Sequence, residues 1–307
     1  MGKTVRETIK GIIRNHLEKG LGKCYGQCLT AVGWVGGTLP EMYEDEGMVE
    51  LSMADVAGGG IVTGIALAGG RPIYVTRYQG FQWYNAVSIV NYAAKSKELW
   101  GRPCPVFMRS IAMEGGMGPV AGSSHHSIVH RMPGIKILAP MTSNEYEYAY
   151  NSFLWDDDPY YISEHRKSYD NTGDLEGLHR IGAKVDFSLF PISVTRFEME
   201  KVLDWADRRE IRINIFPQLW LKPFKFGSYD LDGLKLSKYG GIVTDDDYVE
   251  GVASSMANEL SLATGKKVYT LGLESRTAGF HSSVDNLPPS AEKIIEKMVK
   301  IMQDESL

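Results

Sequence analysis

Cysteine is scarce in this chain. The three present, Cys24, Cys28 and Cys104, are odd in number and too few for a disulfide-stapled scaffold, which points to a reducing compartment. Cys24 and Cys28 could form half of a metal site. No His/Cys pair stands near them to complete one, so two buried thiols are the simpler reading. Long apolar runs are also missing. No stretch reaches the roughly 18 residues of a membrane span, and the first residues lack the pattern of a secretory signal. A cytoplasmic protein with no membrane partner is expected. No basic block stands out either. With 33 Lys and Arg against 38 Asp and Glu, a formal net charge of −5, the chain has no electrostatic footprint for nucleic acid. Neither GxGxxG nor GxxxxGKS/T occurs, and there is no short repeat or low-complexity segment.

What is there is an ordinary globular composition, 43% hydrophobic and 23% charged over 307 residues, enough for one large or two medium domains. Apolar residues at Val5, Ile9, Ile12, Ile13 and Leu17 recur at helical spacing. From residue 48 strands alternate with helices. Strands are expected at Val49–Met53, Pro72–Arg77, Pro105–Ser110, Ile135–Ala139 and Tyr160–Ser163. The helices between them fall at Val56–Ala68, Phe81–Trp100 and Ser143–Leu154, the last with Thr142 and Glu145 as a capping box. A polar run at 167–188 interrupts the alternation. It resumes with strands Phe190–Val194, Ile211–Phe216, Gly241–Thr244 and Lys267–Leu271, and helices Arg196–Arg209, Val249–Leu262 and 290–302. The expected fold is α/β: two domains, 1–180 and 181–307, each a mostly parallel sheet flanked by helices. Asp245, Asp246 and Asp247 could be a metal cluster, but acids ahead of a helix more often answer its dipole, and no metal ligand is assigned.

The richest stretch runs from Val49 to Lys95. Asp55 stands at the start of a helix containing Gly58, Gly59, Gly60 and Gly64. Each glycine costs a helix about 1 kcal/mol, so close packing or a ligand must require them. Asp55 three residues after Ser52 could also be a simple cap. The order of motifs resembles the β chain of thiamine-diphosphate-dependent 2-oxoacid dehydrogenases, and more widely the C-terminal half of transketolases. The residues that carry the resemblance are Asp55 with its glycine-rich helix, Arg71-Pro72-Ile73, Phe81, and Asn91-Tyr92-Ala93-Ala94-Lys95. Further on come Pro105-Val106-Phe107-Met108-Arg109, His126-Ser127, Pro133-Gly134-Ile135-Lys136-Ile137-Leu138-Ala139-Pro140, and Asp158-Pro159 leading to Glu164. In the second half only the element order and Leu221-Lys222-Pro223 are similar.

The resemblance implies a transketolase-like pyrimidine-binding domain followed by a transketolase C-terminal domain. It also implies a β-type enzyme subunit that acts on a 2-oxo acid or ketose by decarboxylation or two-carbon transfer. The family's diphosphate and Mg2+ motif, GDG…N, is absent here. The resemblance therefore implies a separate α subunit that carries it, in an α2β2 heterotetramer, with Mg2+ ligated by that partner. Residue by residue, it gives Asp55 the contact to the pyrimidine ring nitrogen, Phe81 and Tyr78 the cofactor face, and His126 the proton-handling role. His125, His130, Arg131 and Arg109 are candidates for substrate, with an ion pair as the plainer role for Arg109. Three departures stand out: aspartate in place of the family's glutamate, a shorter segment after His126, and a turn rich in large polar and aromatic residues (Arg77, Tyr78, Gln79, Gln82, Trp83, Tyr84). They leave room for a split transketolase or carboligase, or a non-catalytic regulatory subunit.

Overall fold

The structure, a computed structural model, describes residues 2–30, 35–52, 55–114, 121–180, 182–277, 281 and 285–305, with the backbone alone at 55, 85 and 86. Two sheets organise it. The larger contains β1 (Cys24–Gly26), β2 (Met48–Glu50), β3 (Ile73–Thr76), β4 (Phe107–Ala112), β5 (Lys136–Leu138), β6 (Tyr160–His165) and β9 (Trp220–Lys222), in the order β2-β1-β3-β4-β6-β5-β9. Its pairings are parallel except β5 with β9. The smaller holds β7 (Phe187–Pro191), β8 (Ile213–Ile215), β10 (Gly241–Tyr248) and β11 (Val268–Leu273), all parallel, in the order β11-β10-β7-β8. The fold is α/β, mostly parallel and helix-flanked. β9 lies beyond the boundary expected at 180 yet adds to the first sheet, so the chain crosses back between its two halves.

Side-chain alternation along the strands builds the layers. On one face of the first sheet, Ile73, Val75, Phe107 and Ile162 pack against helices Val5–Glu18 and Ser143–Leu154. On the other, Tyr74, Met108, Ile137 and Tyr161 meet helix Asp55–Leu67. The same apolar cluster continues into Phe190, Ile192 and Val243 of the second sheet and into helix Val252–Thr264. One core therefore joins the sheets. The far face of the second sheet is covered by helices Met199–Asp207 and Ala291–Asp304.

The first helix is held by an interior histidine. His16 is fully buried; its Nε2 lies 2.9 Å from the Arg71 carbonyl and its Nδ1 2.8 Å from the Tyr150 hydroxyl. A carbonyl can only accept, so Nε2 carries the proton and Nδ1 accepts from Tyr150. Burial outweighs the bond to Arg71 and lowers the pKa from 6.5 to about 4. The unfolded chain therefore takes up the proton first, so this contribution is complete above pH 6.5 and declines as pH falls towards 4. Thermal melts across that window should show a falling midpoint, and a shallower fall in His16→Gln. Equal slopes for the two proteins would refute this.

Two expectations fail. The single helix expected at Phe81–Trp100 is instead a 3-10 turn Gln79–Phe81, a helix Gln82–Ser88, a π turn Ile89–Ala93 and a helix Ser96–Trp100. At the π turn the Ala94 N–H reaches back to the Ile89 carbonyl (2.8 Å). The Ala94 carbonyl in turn lies so close to Gly134 (φ +78°) that a Cβ there would sit 1.7 Å from it. Only glycine permits that approach. The second failure is the run Asp245–Asp247, which forms no helix start. It lies on β10, where all three side chains are buried.

Candidate functional site

In parallel sheets, loops at the carboxyl ends of the strands make the sites. Here the segment after β3 turns through Tyr78 and Gln79, and Gln79 is fully buried. Its Nε2 donates to the Ser110 carbonyl (3.1 Å) and Ser163 hydroxyl (3.0 Å), while its Oε1 accepts the His125 N–H (2.6 Å). Gln82, one helical turn on, donates to the His125 carbonyl (2.6 Å). Two glutamines thus clamp both backbone groups of His125 from the turn that looked anomalous in the sequence. The His125 ring is half-buried and stacks on Tyr248 (6.2 Å between centroids, 22°). Burial, opposed by Asp247 and reinforced by His126, holds its pKa below the usual value, so it is neutral at pH 7 and able to accept a proton.

His126, the next residue, opens the short helix His126–His130 and points inward. It is 0% exposed. Its Nδ1 lies 3.0 Å from the Ser163 hydroxyl, and its Nε2 lies 3.2 Å from Asp245 and 3.8 Å from Asp247. Burial disfavours the imidazolium, but the charge and hydrogen bond of Asp245, with Asp247 and Asp246 behind it, reverse that and raise the pKa to about 10. Asp247 accepts the Ser127 N–H (2.8 Å), and the Ser127 hydroxyl accepts the Val252 N–H (3.0 Å). Asp246 accepts from Ser124 and Ser193, each at 2.7 Å. Ser193 does so from φ +52°, a strained setting for a residue with a Cβ. Burial raises the pKa of Asp246 to about 7 and that of Asp247 above the carboxylate norm.

The remaining candidates separate. Asp55 is the first residue of helix Asp55–Leu67; its side chain lies outside the described residues. Tyr78 and Phe81 are half-buried neighbours (6.1 Å, 37°), with the guanidinium groups of Arg77 and Arg166 4.9 and 5.8 Å from the Tyr78 ring. His130 stacks on Phe224 (5.3 Å), and burial lowers its pKa to about 4. Arg131 is exposed. Arg109 must be corrected. It is 1% exposed and pairs bidentately with Glu164 (2.9 and 2.5 Å), so it belongs to the core rather than to a substrate surface. The adjacent histidines differ in their surroundings. Both nitrogens of His126 are engaged by protein, whereas His125 is partly exposed. Cys24 and Cys104 are buried and Cys28 half-buried, all as free thiols; among the described residues none joins a ligand cluster.

Sequence reasoning missed Gln79, Gln82, Ser163 and the acidic triplet as partners of the histidines. The usable signal was three carboxylates directly after the run Ile242-Val243-Thr244, where a strand was already expected.

The transketolase pyrimidine binding domain family matches residues 35–172. The match covers under half of the chain and falls on the stretch whose motifs carry the resemblance. Over 140 residues the chain is 30% identical to the 2-oxoisovalerate dehydrogenase subunit beta of Bacillus subtilis, covering 43% of this chain and 41% of that one. It is 27% identical over 160 residues to the acetoin:2,6-dichlorophenolindophenol oxidoreductase subunit beta of Cupriavidus necator, covering 49% and 46%. The matched stretch therefore spans less than half of each curated relative. Among solved structures, a split gene transketolase described as an inactive beta4 tetramer superposes with a TM-score of 0.73 at 14% identity, covering 99% of both chains. That likeness extends the fold assignment to the whole chain. Among the described residues no helix is long and apolar enough to cross a membrane.

Proposed function

We propose that this chain is the pyrimidine-binding, β-type subunit of a thiamine-diphosphate-dependent enzyme. It would act on a 2-oxo acid or ketose and share its active site with a separate α subunit that ligates the diphosphate and Mg2+. The observation that carries this reading is the pyrimidine-binding domain at 35–172 with an acid at the first residue of its glycine-rich helix. The donor set fits one half of the cofactor. Tyr78 and Phe81 offer aromatic faces beside the carboxyl end of β3, and no diphosphate motif accompanies them. When bound, thiamine diphosphate supplies the nucleophilic carbon and the electron sink. Asp55 is assigned to hold a proton at the pyrimidine ring nitrogen, Tyr78 and Phe81 to orient the ring, and neutral His125 to take or return a proton at the reacting centre.

Assembly with a partner is supported by exposed apolar surface. Val56 and Ile61 on helix Asp55–Leu67, and Trp83, Tyr84, Val87, Tyr92, Leu99 and Trp100 on the next helical segments, are each at least 44% exposed. Patches of that kind mark interfaces, and an α2β2 heterotetramer would cover this one. Titration of thiamine diphosphate with Mg2+ into an equimolar mixture of the two chains should give saturable heat that neither chain gives alone; a silent mixture would overturn the reading. Turnover of a ketose with no external oxidant would assign the split-transketolase branch, and reduction of an acceptor the dehydrogenase branch.

A further inference from the structure

We propose that the cluster between the two sheets, formed by His126, Asp245 and Asp246 with Asp247 beside them, binds one divalent transition-metal cation of the Zn2+ or Mn2+ kind. This inference goes beyond the proposed function and does not depend on it. The ligand atoms of His126, Asp245 and Asp246 all lie within 4.8 Å of one another, and all three residues are buried. Bonds of about 2.0–2.2 Å to nitrogen and oxygen place ligand atoms roughly 3–4 Å apart. The separations of His126 Nε2 from Asp245 (3.2 Å) and Asp247 (3.8 Å) already fall in that range.

An unpaired atom points the same way. Asp246 is 1% exposed, and its Oδ1 has no hydrogen-bond partner, although Oδ2 has two. The Tyr161 hydroxyl is fully buried nearby, with the Ser110 hydroxyl as its hydrogen-bonding neighbour. It projects from the same face of β6 as Ser163, whose hydroxyl touches His126, and it feels the charges of Asp247 and Asp246. A buried carboxylate oxygen left unpaired beside other ligand-type atoms leaves room for an occupant. A water could meet the open Asp246 oxygen, but three buried carboxylates against a single imidazole still leave an excess of acid groups in a dry interior. A cation answers both. An imidazole with carboxylates suits zinc and manganese, whereas calcium and magnesium favour all-oxygen sites. The ion would tie β10 of the second sheet to the helix that follows His125, fixing the His125 loop from behind.

The test uses the full chain without thiamine diphosphate or a partner, so its outcome is separate from that of the cofactor titration. Purified protein analysed by plasma mass spectrometry should contain about one equivalent of zinc or manganese. After chelation, adding Zn2+ or Mn2+ alone should raise the melting temperature. Asp246→Asn, which keeps the side-chain volume, should weaken binding by at least about tenfold and abolish the shift. Asp245→Asn should behave alike and serves if the first variant does not fold. The proposal is overturned if the wild-type chain neither retains nor binds metal, or if both variants bind as tightly as the wild type.

Discussion

Glu164→Gln is expected to destabilise the protein by about 3–5 kcal/mol, the cost of leaving a buried charge without its partner. Arg109 and Glu164 lie diagonally on one face of adjacent parallel strands, β4 and β6, where Arg109 is opposite Ile162 and Glu164 opposite Ile111, at 1% and 0% exposure. The guanidinium donates through Nε to one carboxylate oxygen and through Nη2 to the other, and Nη2 also donates to the Thr38 hydroxyl at 2.8 Å. The Tyr169 hydroxyl donates to the same carboxylate. Burial works against the guanidinium charge, but the Glu164 carboxylate more than restores it. An amide keeps the shape and removes the negative charge, so Arg109 is left ionised in a dry interior. A double replacement, Arg109→Met with Glu164→Leu, removes both charges and should recover much of the loss, because apolar residues of similar volume often replace buried pairs at little cost. Urea denaturation of the single and double variants decides it. A Glu164→Gln variant within about 1 kcal/mol of the wild type, below the range for a broken buried pair, would show that the pair is solvated or redundant.

The same pair shows how far the sequence could be read. Arg109 sits at the end of a run legible as a strand, and an ion pair was its plainer reading. Its partner is 55 residues away, and only the parallel register of β4 with β6 brings them together. Helix Ser143–Leu154 was legible to the residue because its signals are local. Thr142 accepts the Glu145 N–H (3.3 Å), although the Glu145 carboxylate reaches Met141 (2.9 Å) and Arg196 (2.8 Å) instead of completing the box. Asp245–Asp247 were misread for the opposite reason. Acids after a strand usually end in water, and what keeps these buried is His126, 119 residues earlier. The choice between His125 and His126 has the same character. Two identical neighbours differ only in which one the helix beginning at His126 turns inward.

Long-range contacts also decide what the glycine-rich helix can do. A Cβ at Gly58 would come 2.5 Å from the Tyr74 hydroxyl, so this glycine lets the helix lie close against β3. Packing therefore accounts for Gly58, and it also fixes the helix start, where Asp55 stands, relative to the turn bearing Tyr78 and Phe81. Aspartate is shorter than glutamate by one methylene, about 1.5 Å, and misplacement by about 1 Å can cost a hundredfold in rate. If Asp55 has the proposed role, a helix held tightly to the sheet is what would let the shorter acid be positioned.

Asp55→Asn should accordingly lower kcat of the assembled enzyme by about 10²–10⁴-fold, the usual worth of a positioned acid–base group. Thiamine diphosphate affinity should change only a few-fold if, as proposed, a partner chain holds the diphosphate. Gly58→Ala acts on the same carboxylate from a distance. By forcing the helix away from Tyr74 it should reduce kcat in the same direction with Asp55 intact, and Tyr74→Phe, which removes the clashing hydroxyl, should restore part of the loss. Steady-state kinetics of the three variants, with cofactor titrations alongside, separate chemistry from assembly. Unchanged turnover in Asp55→Asn would remove Asp55 from the chemistry. Full activity in Gly58→Ala would show that the helix position does not govern it.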